Sequence, residues 1–215
     1  MFRILGRSSS INVRKVLWTA AETGVAFTHE DDWGGTRGLH GPEFLALNPN
    51  NKIPAMIDPY GPGGQPLGLW ESGAILLYLG DKTGRFLPKD GAARWHTVQW
   101  LMFQMGGVGP MFGQLGFFHA FKGREIEDKR PLNRYVNEAK RLLGVIDRQL
   151  DGRDWITGDY SIADIAIAPW VRNLRTGYEA AELVGLDDFA NIGPWVDRFA
   201  ARPAVERGLN IPPRQ

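Results

Sequence analysis

The spacing of apolar residues changes character near residue 88. Before it, short apolar runs alternate with helical stretches; beyond it only the helical period remains. Phe2 to Leu5 is a short apolar strand closed by Gly6-Arg7. Val13, Val16, Leu17, Ala20 and Ala21 recur at helical spacing and predict a helix over 13–23, ended by Gly24. Residues 26–30 alternate weakly and read as a second strand, so the order strand–helix–strand predicts a parallel βαβ unit. Residues 33–42 are Gly-rich and irregular, and 43–47 make one or two helical turns before Asn48-Pro49 stops them. Two further apolar runs, 55–58 and 67–70, predict an antiparallel pair joined by a Gly/Pro loop. Ser72 is placed to cap a helix over 73–82, with Ala74, Leu77 and Tyr78 along one stripe.

Residues 83–88, Thr-Gly-Arg-Phe-Leu-Pro, break this pattern and mark a linker. Helical spacing follows over 92–104, and Gly106-Gly107-Val108-Gly109-Pro110 interrupts or kinks it before it resumes over 111–121. Residues 132–150 form an amphipathic helix, and 192–201 a last clear one, ended by Arg202-Pro203. Between them Ser161 and Asp164 form a short-armed capping box, with Tyr160 and Ile165 at the staple positions. The helix they open is apolar nearly all round through Val171, the mark of a domain's buried centre. The division expected is 1–82, a linker 83–88, and an all-helical domain 89–215.

Composition narrows the chemistry. The 215 residues carry 25 Lys+Arg against 24 Asp+Glu, a net charge of +1, which gives no reason to expect nucleic acid or an anionic membrane. No apolar run approaches the roughly 18–20 residues needed to span a bilayer, and the N-terminal apolar segment is too short for a signal peptide. Cysteine is absent, which excludes disulfides, thiolate metal sites and a cysteine nucleophile, and fits a cytoplasmic protein. The four histidines, His29, His40, His96 and His119, show no ligand spacing, so no metal site is expected.

The polar residues gather at element ends. Asn50-Asn51-Lys52-Ile53 precede one predicted strand and Glu71-Ser72 end the next, so the two sets stand at adjacent ends and can face one ligand. Taken singly, Glu71-Ser72 reads equally as a helix cap preceded by a solvated acid, and Lys52 as an exposed lysine. In combination with Ser161-Ile162-Ala163-Asp164, the segments Asn51-Lys52-Ile53-Pro54 and Glu71-Ser72-Gly73-Ala74-Ile75 resemble the cytosolic glutathione transferases over essentially the whole chain. Within that superfamily, PNNKIPA, ESGAILLYL and Gln104 to Met111 are similar to the bacterial Nu class and its fungal Ure2-like relatives.

The resemblance implies an α/β thioredoxin-like N-terminal domain (βαβ–ββα) followed by an all-α domain, assembled as a homodimer. It implies a cis Ile53-Pro54 peptide that turns the Ile53 backbone toward the cysteinyl part of glutathione, like an added strand. Glu71 and Ser72 would hold the γ-glutamyl end, Ser72 at a helix N-terminus that favours a carboxylate. Lys52 would meet the glycyl carboxylate or a backbone carbonyl of glutathione, with Asn51 beside it. Arg134 falls where Nu-class members carry an arginine near the site, although a salt-bridging surface arginine reads equally well. Ser161 and Asp164 are folding determinants.

The reaction needs the thiolate, and a free thiol has a pKa of about 8.5. The superfamily supplies the sulfur with a tyrosine, a serine or threonine, or a cysteine. No tyrosine precedes Tyr60 and no cysteine occurs, which leaves the serines and Asn12. Aligning Lys15-Val16 with the family's first helix puts Ser10 first and Asn12 second as thiolate stabilisers. Ser9 stays in reserve because the three adjacent serines leave the register open by one. Each is also a plain helix cap.

Phe103, Met111, Phe112, Phe117, Phe118 and His119 are candidates for an electrophile pocket, and as aromatics on helices they read equally as core. The activity implied is transfer of glutathione to an electrophile, with disulfide or peroxide reduction through bound glutathione close behind. Two alternatives stay open: a non-catalytic binding or regulatory protein, and a specialised lyase, dehalogenase or isomerase.

Overall fold

The computed structural model describes residues 1–209. It divides into two compact units, residues 1–89 with 202–209, and Asp90–Ala201. The first begins β1 (Phe2–Leu5), α1 (Ile11–Thr23), β2 (Phe27–Glu30), α2 (Pro42–Leu47), and continues β3 (Ala55–Asp58), β4 (Leu67–Trp70), α3 (Ser72–Thr83). The sheet order is β2-β1-β3-β4, with β1 parallel to β2 and the other two pairs antiparallel. This is the thioredoxin-like arrangement that the family resemblance implies.

Register sorts the core. Ile4 stands opposite Met56, and both are fully buried. Leu5 and Ala55, the next pair, are buried with Trp33 and Phe44 in a second cluster that Leu39, Leu47, Ile53 and Ile57 complete. Because successive strand residues point to opposite faces, this one register fills both layers. On α1, Val13, Val16, Leu17 and Ala20 are buried as the period requires, whereas Ala21 is exposed. Gly24, at φ 77, ends the helix with its N–H on the carbonyls of Ala20 and Ala21.

Two local readings change in α3. The helix starts at Ser72 itself, and Glu71 is the flanking residue, at φ 67 and ψ 113. The buried stripe is Ile75, Leu76 and Leu79, not Ala74, Leu77 and Tyr78; Ala74 is exposed. The helix packs on α1, so its inward direction is set by a neighbour some sixty residues back in the chain. Tyr78 is half-buried for another reason: its hydroxyl donates to the buried Asp58 at 2.5 Å, and Lys82 pairs with the same carboxylate.

The second unit contains α4 (Gly91–Phe103), a π-helical turn (Gln104–Val108), α5 (Gly109–Ala120) and α6 (Arg130–Leu150), then α7 (Ile162–Thr176), α8 (Ala181–Val184) and α9 (Ile192–Ala200). The Gly-rich interruption is thus a widened turn inside one helical run. Nearly every residue of α7 from Ile162 to Leu174 is buried. Its capping box is complete, and Asp164 is the hub. It accepts from the Ile156 N–H at 2.9 Å, the Ser161 N–H at 3.0 Å, the Ser161 hydroxyl at 3.2 Å and Trp195 Nε1 at 3.0 Å. Burial pushes its carboxyl up to about 6, against the pull of these donors.

A last helix, α10 (Pro203–Leu209), packs on α1 and belongs to the first unit. Arg202 donates to both carboxylate oxygens of Glu22, at 2.5 and 2.9 Å. The expected second domain of 89–215 therefore loses residues 202–209 to the first unit; 210–215 lie outside the described residues.

Candidate active site

The loop between β1 and α1 is pinned before it reaches the site. The Ser8 N–H donates to Asp31 Oδ1 at 2.5 Å, and Arg14 Nε donates to the Ser8 carbonyl at 2.6 Å. Gly6, at φ 140, passes so close to its neighbours that a Cβ would stand 2.6 Å from Val13 Cγ2 and 2.9 Å from Ile53 Cβ. Only glycine allows that approach, and it brings the start of α1 against the loop that carries Ile53.

That loop is held by an internal clamp. Asn48, buried, donates from Nδ2 to the Lys52 carbonyl at 2.5 Å, and its Oδ1 accepts the Asn50 N–H at 2.9 Å. The Ile53-Pro54 peptide is cis. Among the described residues, neither the N–H nor the carbonyl of Ile53 takes part in a backbone hydrogen bond. Polar backbone groups left without partners seek them, and an extended ligand running past this loop would supply them.

One small open cavity joins the pieces. Its walls are Asn48, Asn50, Lys52, Ile53 and Pro54 on one side, with Glu71, Ser72 and Asn12 on the other. Asn12 is the second residue of α1 and Ser72 the first of α3, so two helix N-termini border one space. Unpaired amides and helix dipoles favour negative charge there. Glu71 is exposed and supplies the opposite charge, for a cationic group.

The three serines separate. Ser8 is buried with its backbone committed, and the Ser9 hydroxyl accepts from Arg7 Nη1 at 3.2 Å. Ser10 occupies the N-cap position of α1, yet its side chain makes no capping bond. Its hydroxyl is not used in capping the helix, and the Ser9 hydroxyl, which only accepts from Arg7, keeps its own O–H to donate. Asn12, two residues after Ser10, forms part of the cavity wall.

Other expected site residues are placed differently. Asn51, at φ 56, turns its amide to His40 Nδ1 at 3.0 Å and does not line the cavity. Arg134 lies exposed on α6 of the second unit. Phe112 is fully buried in α5 and is core, because the inward face of that helix runs through Phe112, Leu115 and Gly116. Phe103 is half-buried, edge-on to Trp100, and Met111 is also half-buried. Phe117 is exposed and stands edge-on to Phe118, which stacks on Tyr135. His119 Nε2 lies 3.2 Å from the Glu179 carbonyl.

Two residues that motif reading passed over belong with the site. Asn48 reads as a helix stop, but its side chain shapes the loop. Lys15, which in the sequence serves only to align the first helix, is fully buried in α1, one turn after Asn12. Burial pushes its ammonium down to about 7, with Glu71 the charge that opposes the shift. The only sequence signal for either was position: a lysine among Val13, Val16 and Leu17 on the inward side.

Comparison with known proteins agrees with this geometry. Residues 9–82 match the family model of the glutathione S-transferase N-terminal domain, and 110–203 that of the C-terminal domain. The disulfide-bond oxidoreductase YfcG of Escherichia coli is 43% identical over 81% of this chain and 79% of its own length. The chain belongs to the glutathione S-transferase family. A family member from Pseudomonas fluorescens, solved with two glutathione molecules bound, is 57% identical, with a TM-score of 0.94 over 98% of this chain and 93% of that one. A glutathione transferase from Pseudomonas putida, solved with one glutathione disulfide per subunit, is 54% identical, with a TM-score of 0.94 over 99% and 92%.

Among the described residues, no group of three or more His, Asp or Glu is placed to hold a metal ion. None of the described helices is long and apolar enough to cross a membrane.

Proposed function

We propose that the protein binds glutathione in the Asn12–Ile53–Glu71 cavity, holds it as the thiolate, and uses it on electrophilic carbon and on disulfides. The observation that carries this reading is the convergence of the cis Ile53-Pro54 loop and the two helix N-termini on one cavity. Each part suits one piece of the tripeptide. Glu71 balances the γ-glutamyl ammonium, and Ser72 with the α3 N-terminus takes its carboxylate. The unpaired Ile53 backbone pairs with the cysteinyl residue in the manner of an added strand. Lys52 meets the glycyl carboxylate. Ser10 and Asn12 donate to the sulfur at the α1 N-terminus, which favours the thiolate.

From there, attack of the sulfur on an electrophilic carbon forms a thioether and expels a leaving group or closes an addition. Attack on a disulfide forms a mixed disulfide and releases one thiolate. A second glutathione then releases the other, giving glutathione disulfide. The chain has no cysteine, so both thiols of that sequence come from glutathione. The kinship with an oxidoreductase, and with relatives holding two glutathiones or glutathione disulfide, supports the second use.

The finer assignments rest on the motifs. The resemblance of PNNKIPA and ESGAILLYL to the Nu class and the Ure2-like group supports a reading of the protein as a member of that subgroup. A homodimer is supported by the exposed Tyr60 and Trp70 of the first unit and Trp95 and Met102 of α4, and sedimentation velocity tests it. Membership in the superfamily supports a cytoplasmic location, which cell fractionation checks.

The deciding experiment is a glutathione assay with an aryl halide, an organic hydroperoxide and a small disulfide side by side. Turnover of at least one is expected. Tight glutathione binding with no turnover of any would favour a non-catalytic binding protein instead.

A further inference from the structure

A cavity of about 450 Å³ lies wholly within the second unit, bordered by α7, α9 and the segment between them, and shares no residue with the glutathione cavity. Its walls are mixed and mainly apolar, with Leu186, Phe189, Ile192 and Val196 among the apolar residues. Two arginines, Arg172 and Arg175, border it. Arg175 is spent, because it pairs with Asp187 across the rim. Arg172 is half-buried, and among the described residues its guanidinium has no hydrogen-bond or ion-pair partner. Burial alone acts on it and lowers its pKa.

A half-buried cation with no counter-ion costs stability, and such groups are normally paired. Placed in an apolar cavity of ligand size, the same group is an anchor. Cavities of roughly 300–1,000 Å³ with apolar walls and a few placed polar groups are where small molecules bind. A guanidinium matches a carboxylate in a two-pronged geometry. The carboxylates of Asp187 and Asp197 also border the space. They repel a dianion such as a phosphate monoester and leave a single negative charge as the acceptable one.

We propose that this cavity is a second ligand site, for a monocarboxylate with an apolar body of medium-chain fatty-acid size, its head group on Arg172. No chemical step is involved. The site binds independently of glutathione, since its residues all come from the second unit.

The probe is decanoate, measured by isothermal titration calorimetry on the full chain, with decyltrimethylammonium as the chain-matched cation. One decanoate per chain is expected, with no comparable binding of the cation. Arg172→Met should weaken decanoate roughly tenfold or more, while glutathione affinity stays at the parent value. Because removing an unpaired cation relieves a cost, Arg172→Met should hold or raise the thermal midpoint. Val196→Trp, which fills the cavity and keeps the arginine, should also weaken decanoate. The proposal is overturned if Arg172→Met binds decanoate as the parent does, or if S-hexylglutathione displaces decanoate, which would put it in the electrophile pocket. A lower thermal midpoint for Arg172→Met would also overturn it, because the arginine would then be structural.

Discussion

Asn48 Nδ2 donates to the Lys52 carbonyl at 2.5 Å, so a buried side chain at the end of α2 fixes the peptide that precedes Ile53-Pro54. The backbone of Ile53, the proposed partner of the cysteinyl residue, therefore depends on an asparagine that need not touch the ligand's sulfur. Asn48→Ala removes this bond and the one to the Asn50 N–H. Each is worth about 0.5–1.5 kcal/mol net. Glutathione affinity should fall by roughly tenfold, with the thiol pKa of any bound glutathione nearly unchanged. Calorimetry checks the first and ultraviolet titration the second; parent-like affinity would show that the loop holds itself.

Ser10 and Asn12 are the two proposed donors to the sulfur. Ser10 has a hydroxyl that caps nothing, and Asn12 forms part of the cavity wall. Ser10→Ala should raise the titration midpoint of bound glutathione by about one pH unit, equivalent to ~1.4 kcal/mol. Asn12→Ala should raise it and weaken binding as well. If Ser10→Ala leaves the midpoint in place while Asn12→Ala moves it, the donor is Asn12.

Glu71 faces the cavity with a free carboxylate edge, and the ligand's ammonium is its proposed partner. Glu71→Gln keeps the shape and removes the charge. Retention on immobilised glutathione should drop several-fold. Equal retention would take the residue out of the site.

Lys15 makes stability depend on pH. Its folded pKa, about 7, lies below the ordinary 10.5. Between those values the unfolded chain holds a proton that the folded chain has shed, so this group's contribution improves as pH rises from 7 toward 10.5. Below 7 both states are charged, and the full cost of the buried ammonium is present. The difference in thermal midpoint between the parent and Lys15→Met should therefore shift in the parent's favour across pH 7 to 10. Parallel curves over that range would mean that Lys15 titrates normally.

Asp164 gathers four donors, including Trp195 Nε1, thirty-one residues on. Asp164→Ala leaves these donors without their acceptor. At about 1–3 kcal/mol for each unsatisfied buried group, a loss of several kcal/mol is expected. The thermal midpoint would fall by roughly 10 °C for a chain of this size. Glutathione affinity of the protein that remains folded should be unchanged, which separates this folding role from the site.

Much of this was legible in the residues. The cis Ile53-Pro54 peptide was expected from the family resemblance alone, whereas the bounds of β1, β3 and β4 and the capping box of α7 are local matters. They depend on residues adjacent in the chain and on periods of two or 3.6, and a sequence carries both directly. Where a side chain points is a different question. Asn51 turned to His40, Ser9 took up Arg7, and Phe112 became core because α5 faces its own unit. Lys15 was buried, and the stripe of α3 rotated to Ile75, Leu76 and Leu79, where α1 and α3 pack together.

Residues 202–209 show the same division. Their helix-forming tendency was hidden behind Arg202-Pro203, and they joined the first unit through an ion pair with Glu22, 180 residues away. Local sequence pattern carried most of the elements, though not α8 or α10, and the motifs carried the ligand chemistry they fit. Tertiary structure alone decided which polar groups were left over to do that chemistry. Hydrogen bonds and burial are settled by whichever groups meet in space, and those partners stand far apart along the chain.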